Sequence, residues 1–271
     1  VSNCRFLSNS ASSGGGLGFL SLNGATLASA LGVSVSKSDF SSNSAVEGGA
    51  IYAFATNQLS ISDSNIWSNV ANSSGGGCFF GSSSKVLVQN SVLSMNSAPT
   101  GGAISVDGKS GISLLNVTSC DIMSNVAVIS GGGMFLDDVP QLIFQGTVRL
   151  TSNSAGQTGG GLFLRDTPAW TVCSTSSPCE IVLTGNNATW GSAVFFNASD
   201  TITKQGGLTY MTVSSNRALS GGTIFWVARQ GNISLAPDTS SPTNTWGENV
   251  AAYGERIATQ AVQFGNVSRS V

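Results

Sequence analysis

Apolar side chains in this chain fall in short runs, and the runs return at regular intervals. The most regular unit is an apolar residue, two polar positions, Asn, one further position and Ala, as in Phe40-Ser-Ser-Asn43-Ser-Ala45. Aligned on the Asn, nine copies are present, at Asn9, Asn43, Asn69, Asn96, Asn125, Asn153, Asn186, Asn216 and Asn249. Three residues before each stands Phe6, Phe40, Ile66, Leu93, Ile122, Leu150, Leu183, Val213 or Trp246, and Ala follows two residues after every one. A glycine element comes five or six residues after the Asn, as in Gly48-Gly49 and Gly131-Gly132-Gly133, and it weakens to Gly191-Ser192 and Gly254-Glu255. A short apolar run follows it, such as Ile51-Tyr52 or Met134-Phe135-Leu136. Later in most copies comes an alternating pair: Leu59/Ile61, Val86/Val88, Ile112/Leu114 and Leu142/Phe144.

Alternation at period two marks strands with one buried face. No segment holds an apolar period of 3.6 residues, and Gly and Ser, which disfavour helix interiors, interrupt every run. A single unit of this length cannot close a core, but stacked units can. The pattern therefore predicts an all-β, single-domain solenoid over 1–271: a right-handed parallel β-helix of about nine three-strand coils, its hand taken from the preference of parallel crossovers. At ~4.8 Å per coil it is roughly 40 Å long. Longer intervals place surface insertions near 21–32, 169–180 and 236–245.

The recurring positions become columns in such a stack. The apolar column fills the core. Asn, which tolerates left-handed dihedrals, is expected at a turn, where stacked side chains hydrogen-bond up the column. Ala fits a tight bend, and the glycines allow positive φ at the corner. The chain opens at Val1 already inside this pattern, with no initiator Met and no leader-like segment, so it is expected to be a piece of a longer polypeptide.

Composition narrows the surroundings. Charged residues make up only 9% of the 271, the net charge is −2, and Lys and Arg are scattered, so no nucleic-acid partner is expected. No apolar run reaches the ~20 residues of a membrane-spanning helix.

The literal Phe-x-x-Asn copies at Phe6–Asn9 and Phe40–Asn43, with Gly-Gly-Ala-Ile at Gly48–Ile51 and Gly101–Ile104, resemble the repeat pair of the chlamydial polymorphic outer-membrane proteins. Similar repeats occur in secreted proteins of algae, oomycetes and ciliates, whose closing coil is similar to Trp246–Thr259. The resemblance implies a β-helical surface passenger with an adhesive or structural role and no catalytic site.

Candidate chemistry is sparse. The chain has no His, which removes Ser-His and Cys-His nucleophilic machinery, and no cofactor or metal is expected. Because β-helices also host polysaccharide hydrolases and lyases, Asp137-Asp138 is the pair to test for glycoside chemistry. Asp63, Asp107, Asp137 and Asp166 suggest a loose acidic stripe, with solvated turns as the plainer reading. Six sequons, at Asn72, Asn116, Asn187, Asn197, Asn232 and Asn266, avoid all nine anchor residues and are candidate N-glycan sites. Thr239, Ser240, Ser241 and Thr243, between prolines, are O-glycan candidates. Of five cysteines, Cys173 and Cys179 in one insertion are expected to pair. Cys4 and Cys120 share a column but lie too far apart to bond, and Cys78 reads as a small core residue. Trp246 falls in the inward column, whereas Trp67, Trp190 and Trp226 are read as outward, either covering coil edges or glycans or available to sugars.

These readings converge on a non-enzymatic extracellular or cell-surface scaffold or filament subunit carrying covalent N-glycans. Its expected partner is more of its own chain or another copy, end to end. An adhesin working through its insertions is the second reading, and a polysaccharide-active enzyme the third.

Overall fold

The computed structural model describes residues 1–20, 32–83, 85–167, 170–172, 180–198, 210–228, 245–253 and 257–261. The chain is a parallel β-solenoid. One coil shows how it is made: Asp39–Ser41, Ser44–Glu47, Ile51–Phe54 and Gln58–Ser62 are four successive strands separated by tight corners. Each pairs in parallel with its counterpart in the next coil, Phe40 with Ile66, Ala45 with Ala71, Ile51 with Cys78 and Leu59 with Val86. Stacking yields four sheets, here named first to fourth in coil order, with nine, eight, nine and six strands among the described residues.

The three-strand coil read from the sequence is thus corrected to a four-sided one, and about six turns carry a strand in the fourth sheet instead of nine uniform coils. The second sheet escapes a pattern search for a physical reason. Its strand Ser44–Glu47 buries little besides Ala45, and the pairing register shifts between Ala45 and Glu47, so no alternation reaches the sequence. The fourth-sheet strand Leu114–Thr118 corrects a second detail. Leu115 and Val117 face the core, and Leu114 lies on the opposite side of the strand from them. Gly111, at φ 112°, ends the short 3-10 turn Gly108–Ser110 and donates its N–H to the Gly108 carbonyl.

The core is a set of vertical apolar columns. In one coil Ile66 comes from the first sheet, Cys78 and Phe80 from the third and Val86 and Val88 from the fourth, all at most 1% exposed. Each such burial contributes about 1.5–3 kcal/mol for a large side chain. No helix among the described residues is long and apolar enough to cross a membrane. Trp170–Val172, inside the expected insertion at 169–180, is a strand paired with Leu142–Phe144. The expected insertion at 21–32 is outside the described residues except for Gly32, which opens the strand Gly32–Ser36. The expected insertion at 236–245 is outside them except for Thr245, which opens the strand Thr245–Trp246.

Candidate functional site

The repeated Asn residues form one continuous hydrogen-bonded column between the first and second sheets. The backbone N–H and Nδ2 of each donate to the Oδ1 of the Asn one coil on: Asn43 to Asn69 at 2.9 and 2.9 Å, Asn96 to Asn125 at 2.9 and 3.0 Å, Asn186 to Asn216 at 2.9 and 3.0 Å. The second Nδ2 hydrogen goes one coil back, to the carbonyl of the apolar residue that precedes the neighbouring Asn by three. Asn69, Asn96, Asn125, Asn153, Asn186 and Asn216 are fully buried, Asn43 nearly so, and Asn249 is 8% exposed. Each interior side chain therefore gives two hydrogen bonds and accepts two, which is what a buried carboxamide requires.

The left-handed residue at this corner is the one before Asn. Ser42, Ser68, Met95, Ser124, Ser152, Gly185 and Ser215 all have φ between 54° and 66°, and none of the anchor Asn residues does. The expectation that Asn supplies the turn dihedral is corrected. Asn is required for its side chain, and the preceding residue, usually Ser, takes the backbone strain.

At the next corner Gly48 has φ +62°, and a Cβ there would lie 2.2 Å from the carbonyl oxygen of Ile51. Gly49 is held by proximity: its Cβ would stand 2.2 Å from the carbonyl oxygen of Gly76 in the following coil. Ser192 occupies that second position two coils before the far end, and its buried Oγ has no hydrogen-bond partner among the described residues.

Two further columns were not read from the sequence. The first is a hydroxyl series five residues before the anchors. The amide of Ser38 donates to Ser64 Oγ and that of Ser64 to Ser91 Oγ, while the hydroxyls of Ser64 and Ser91 turn back to the carbonyl two residues earlier. Cys120 continues it, its thiol directed at the carbonyls of Thr118 and Val88, and burial pushes that thiol up to about 11. The second is aromatic. The middle residue of each post-glycine run faces outward, so Phe135, Phe163, Phe195 and Phe225 stack along the outside of the third sheet, with ring centroids 4.7, 5.4 and 5.6 Å apart. The signal was visible as aromatics at one position of successive runs. Because the rings lie nearly parallel and cover one another, the interior rings have no free face for a sugar.

Asp137 is 5% exposed and lies at the outer end of a third-sheet strand. Its two oxygens accept from Arg165 Nε and Nη2 at 2.6 and 2.5 Å, and Lys109 Nζ lies 3.3 Å away. Burial opposes its ionisation, but the hydrogen bonds and charges of Arg165 and Lys109 outweigh that and hold the carboxyl below the ordinary range. The Arg165 guanidinium also sits 5.5 Å from the Phe135 ring centroid. Asp138 is a left-handed corner residue. The acidic stripe is only partly assembled. Asp107 and Asp137 are register partners and Asp166 follows Arg165, whereas Asp63 lies at the end of a fourth-sheet strand, where it accepts from Asn90.

Of the sequon residues, Asn72, Asn187 and Asn197 are exposed on strands. Asn116 is half-buried in the fourth sheet. Its amide donates to Gln145 Oε1 at 3.1 Å, and its Oδ1 accepts from Thr118. Asn232, Asn266, the pair Cys173 and Cys179, and the run Thr239, Ser240, Ser241 and Thr243 lie outside the described residues. Cys78 is fully buried in the core and Cys4 partly exposed. Trp67 is 41% exposed, Trp190 packs on Phe225 at 5.1 Å, and Trp246 packs against the core. Trp226 is corrected: it pairs in register with Phe196, which packs against the core, and so shares the inward column.

Residues 37–53, the coil that contains Phe40, Asn43 and Gly48-Gly49, match the Chlamydia polymorphic membrane protein repeat. No curated protein and no solved structure matches the chain. The matched repeat and the parallel solenoid built from its copies together fit a polymorphic-membrane-protein type of repeat family.

Proposed function

We propose that this chain is a non-enzymatic, cell-surface scaffold: a stiff segment of a repeat rod, displayed outside the cell and decorated with N-glycans. The observation that carries this reading is the use of its polar repeats. The Asn column, the glycine corners and the hydroxyl column all direct their hydrogen bonds inward and along the stack, where they maintain shape. The match to a membrane-protein repeat supports the surface location.

Asp137 does not suit general-acid work. That role needs a carboxyl kept protonated near neutrality, and Asp137 is held ionised between two cations. Exposure at Asn72, Asn187 and Asn197 makes them the favoured glycan sites over Asn116. The test is labelling of intact and permeabilised source cells with an antibody to this chain, followed by glycopeptide mass spectrometry. Labelling of intact cells with glycans at the three exposed sites is expected; labelling only after permeabilisation overturns the reading.

The same repeat match favours adhesion as a second reading, with recognition placed in the insertions because the repeat columns are taken up by stacking. Deleting 173–179 or 236–244 then abolishes adhesion and leaves the fold intact. The first deletion spares Trp170–Val172, which belongs to a sheet.

A further inference from the structure

The outer face of the second sheet carries an apolar strip that the fold leaves uncovered. It crosses four successive strands, Ser44–Glu47, Val70–Ser74, Ser97–Thr100 and Val126–Ser130. In each strand the Ala two residues after the anchor Asn is buried, so its neighbours on either side point outward. These neighbours include Val46, Val70, Pro99, Val126 and Val128, with Ile129 beside them where the register shifts. Val46, Val70, Val126, Val128 and Ile129 are 41–66% exposed. Glu47 is the only charged residue in the four strands. Contiguous apolar exposure of this kind is the signature of a surface that something covers.

Asn72 stands inside this strip. Val70 precedes it by two residues on the same face, ~6.6 Å along the strand. Ser44 pairs with Val70 and Glu47 with Ser74, so Val46 comes opposite Asn72 and Ser73 from one coil back. Ser97 pairs with Val70 and Thr100 with Ser74, so Pro99 comes opposite the same two residues from one coil on. Val128 and Ile129 in turn come opposite Pro99, and each step between coils is ~4.8 Å. The Asn72 side chain is exposed and makes no hydrogen bond with the described residues, and Ser74 completes its sequon. Asn187, the other exposed sequon residue of this sheet, has polar surroundings: it pairs with Ser154 and Arg217, and Thr189 follows it by two residues.

We propose that the apolar strip is the docking surface for the N-glycan of Asn72, whose first sugar rings lie flat across Val46, Val70 and Pro99 and extend toward Val128. The inference rests on the N-glycan reading above and adds what this one glycan does. A pyranose ring has C–H groups on its faces and hydroxyls around its rim, and it carries no charge. It can cover aliphatic side chains on a sheet while its hydroxyls stay in water. On attachment Asn72 Nδ2 exchanges one hydrogen for C1 of the first sugar, and the diphosphate of a lipid-linked donor leaves with the proton. The glycan is the occupant because it is tethered within the strip, at an effective concentration that a free partner does not match. Its bulk there also keeps a second copy from seating on the same face.

The test begins with glycopeptide mass spectrometry of the chain from its source cells, which reads occupancy at Asn72. The chain and its variants are then secreted from a eukaryotic host and compared by thermal unfolding and by binding of a dye that fluoresces on apolar surfaces. Asn72→Gln is expected to lower the unfolding midpoint by roughly 2 °C or more and to raise dye binding. Asn187→Gln, which removes a glycan from polar surroundings, is expected to do neither. In a Val46→Ser, Val70→Ser background, whose two sites are exposed, most of the effect of Asn72→Gln is expected to vanish. An unoccupied Asn72 overturns the proposal together with the glycan reading at that site. An occupied Asn72 whose loss changes neither readout, or changes them no more than Asn187→Gln, overturns the proposal alone. So does an Asn72→Gln effect that survives the two Val→Ser changes. Sedimentation of the glycosylated chain as a dimer that the Val→Ser changes dissociate assigns the strip to a second copy and overturns it as well.

Discussion

Asn125 gives two hydrogens to a single atom of Asn153: its backbone N–H and its Nδ2 both meet Asn153 Oδ1 at 3.0 Å. A turn amide and a side-chain amide of one coil are thereby satisfied by the side chain of the next, in a site fully closed to water. Neither Asp nor Ser can repeat this, since the column needs one group with two donors and a two-fold acceptor at every level. Each coil is thereby tied to the next through one shared oxygen.

The glycine corner is fixed by distance. Gly49→Ala places a methyl 2.2 Å from the Gly76 carbonyl oxygen, which is backbone in the neighbouring coil and has no rotamer to adopt. The variant is expected to lose more than ~2 kcal/mol, as overpacked sites do. Gly32→Ala, whose Cβ meets nothing closer than 4.0 Å, serves as the control and changes the urea midpoint little.

Ser192 offers the opposite sign. Its hydroxyl is buried without a partner, so Ser192→Ala removes an uncompensated desolvation while keeping the Cβ that the corner already accepts. A gain of roughly 1 kcal/mol is expected by thermal unfolding.

Acid sensitivity is expected to concentrate in one pair. Asp137 has its carboxyl lowered in the fold, so the unfolded chain binds its proton more readily. Its contribution is present above the ordinary carboxylate range and is lost as pH falls through the folded value. Arg165→Met is therefore expected to flatten the acid side of the stability profile. Arg149→Met, which breaks a pair to Asp121 whose side chains are 51% and 34% exposed, leaves that profile nearly unchanged.

The columns were legible in the sequence because a solenoid repeats its constraints. Phe40 and its equivalents, the Asn row and the glycine corner each recur wherever the same neighbours recur. The features that stayed hidden lack such recurrence or depend on neighbours in space. The second sheet buries one Ala per strand and carries a bulge. Beyond the 3-10 turn Gly108–Ser110 it is Leu115 and Val117, not Leu114, that face inward, and a one-residue difference in register flips faces without altering composition. The aromatic stack of Phe135, Phe163 and Phe195 needed the in-out order of the third sheet, and Arg165 needed the register that sets it beside Asp137.

Thiol chemistry separates core from edge. Cys78 and Cys120 are buried, and burial raises both thiols, Cys120 to about 11. Among the described cysteines, alkylation of the native chain at pH 8 is expected to modify Cys4, with Cys78 and Cys120 reacting only after unfolding. Peptide mapping of the labelled chain reads this directly.

The central claim is that the Asn column holds the coils together, and equilibrium unfolding of Asn125→Ala tests it most directly. The substitution strands the Asn96 N–H and the Asn96 Nδ2, two buried donors at ~1–3 kcal/mol each, and removes one of the donors to the Leu93 carbonyl. A loss of at least ~3 kcal/mol is predicted, against a much smaller loss for Asn9→Ala at the open end. A loss at Asn125 below ~1 kcal/mol, no greater than at Asn9, would contradict the account.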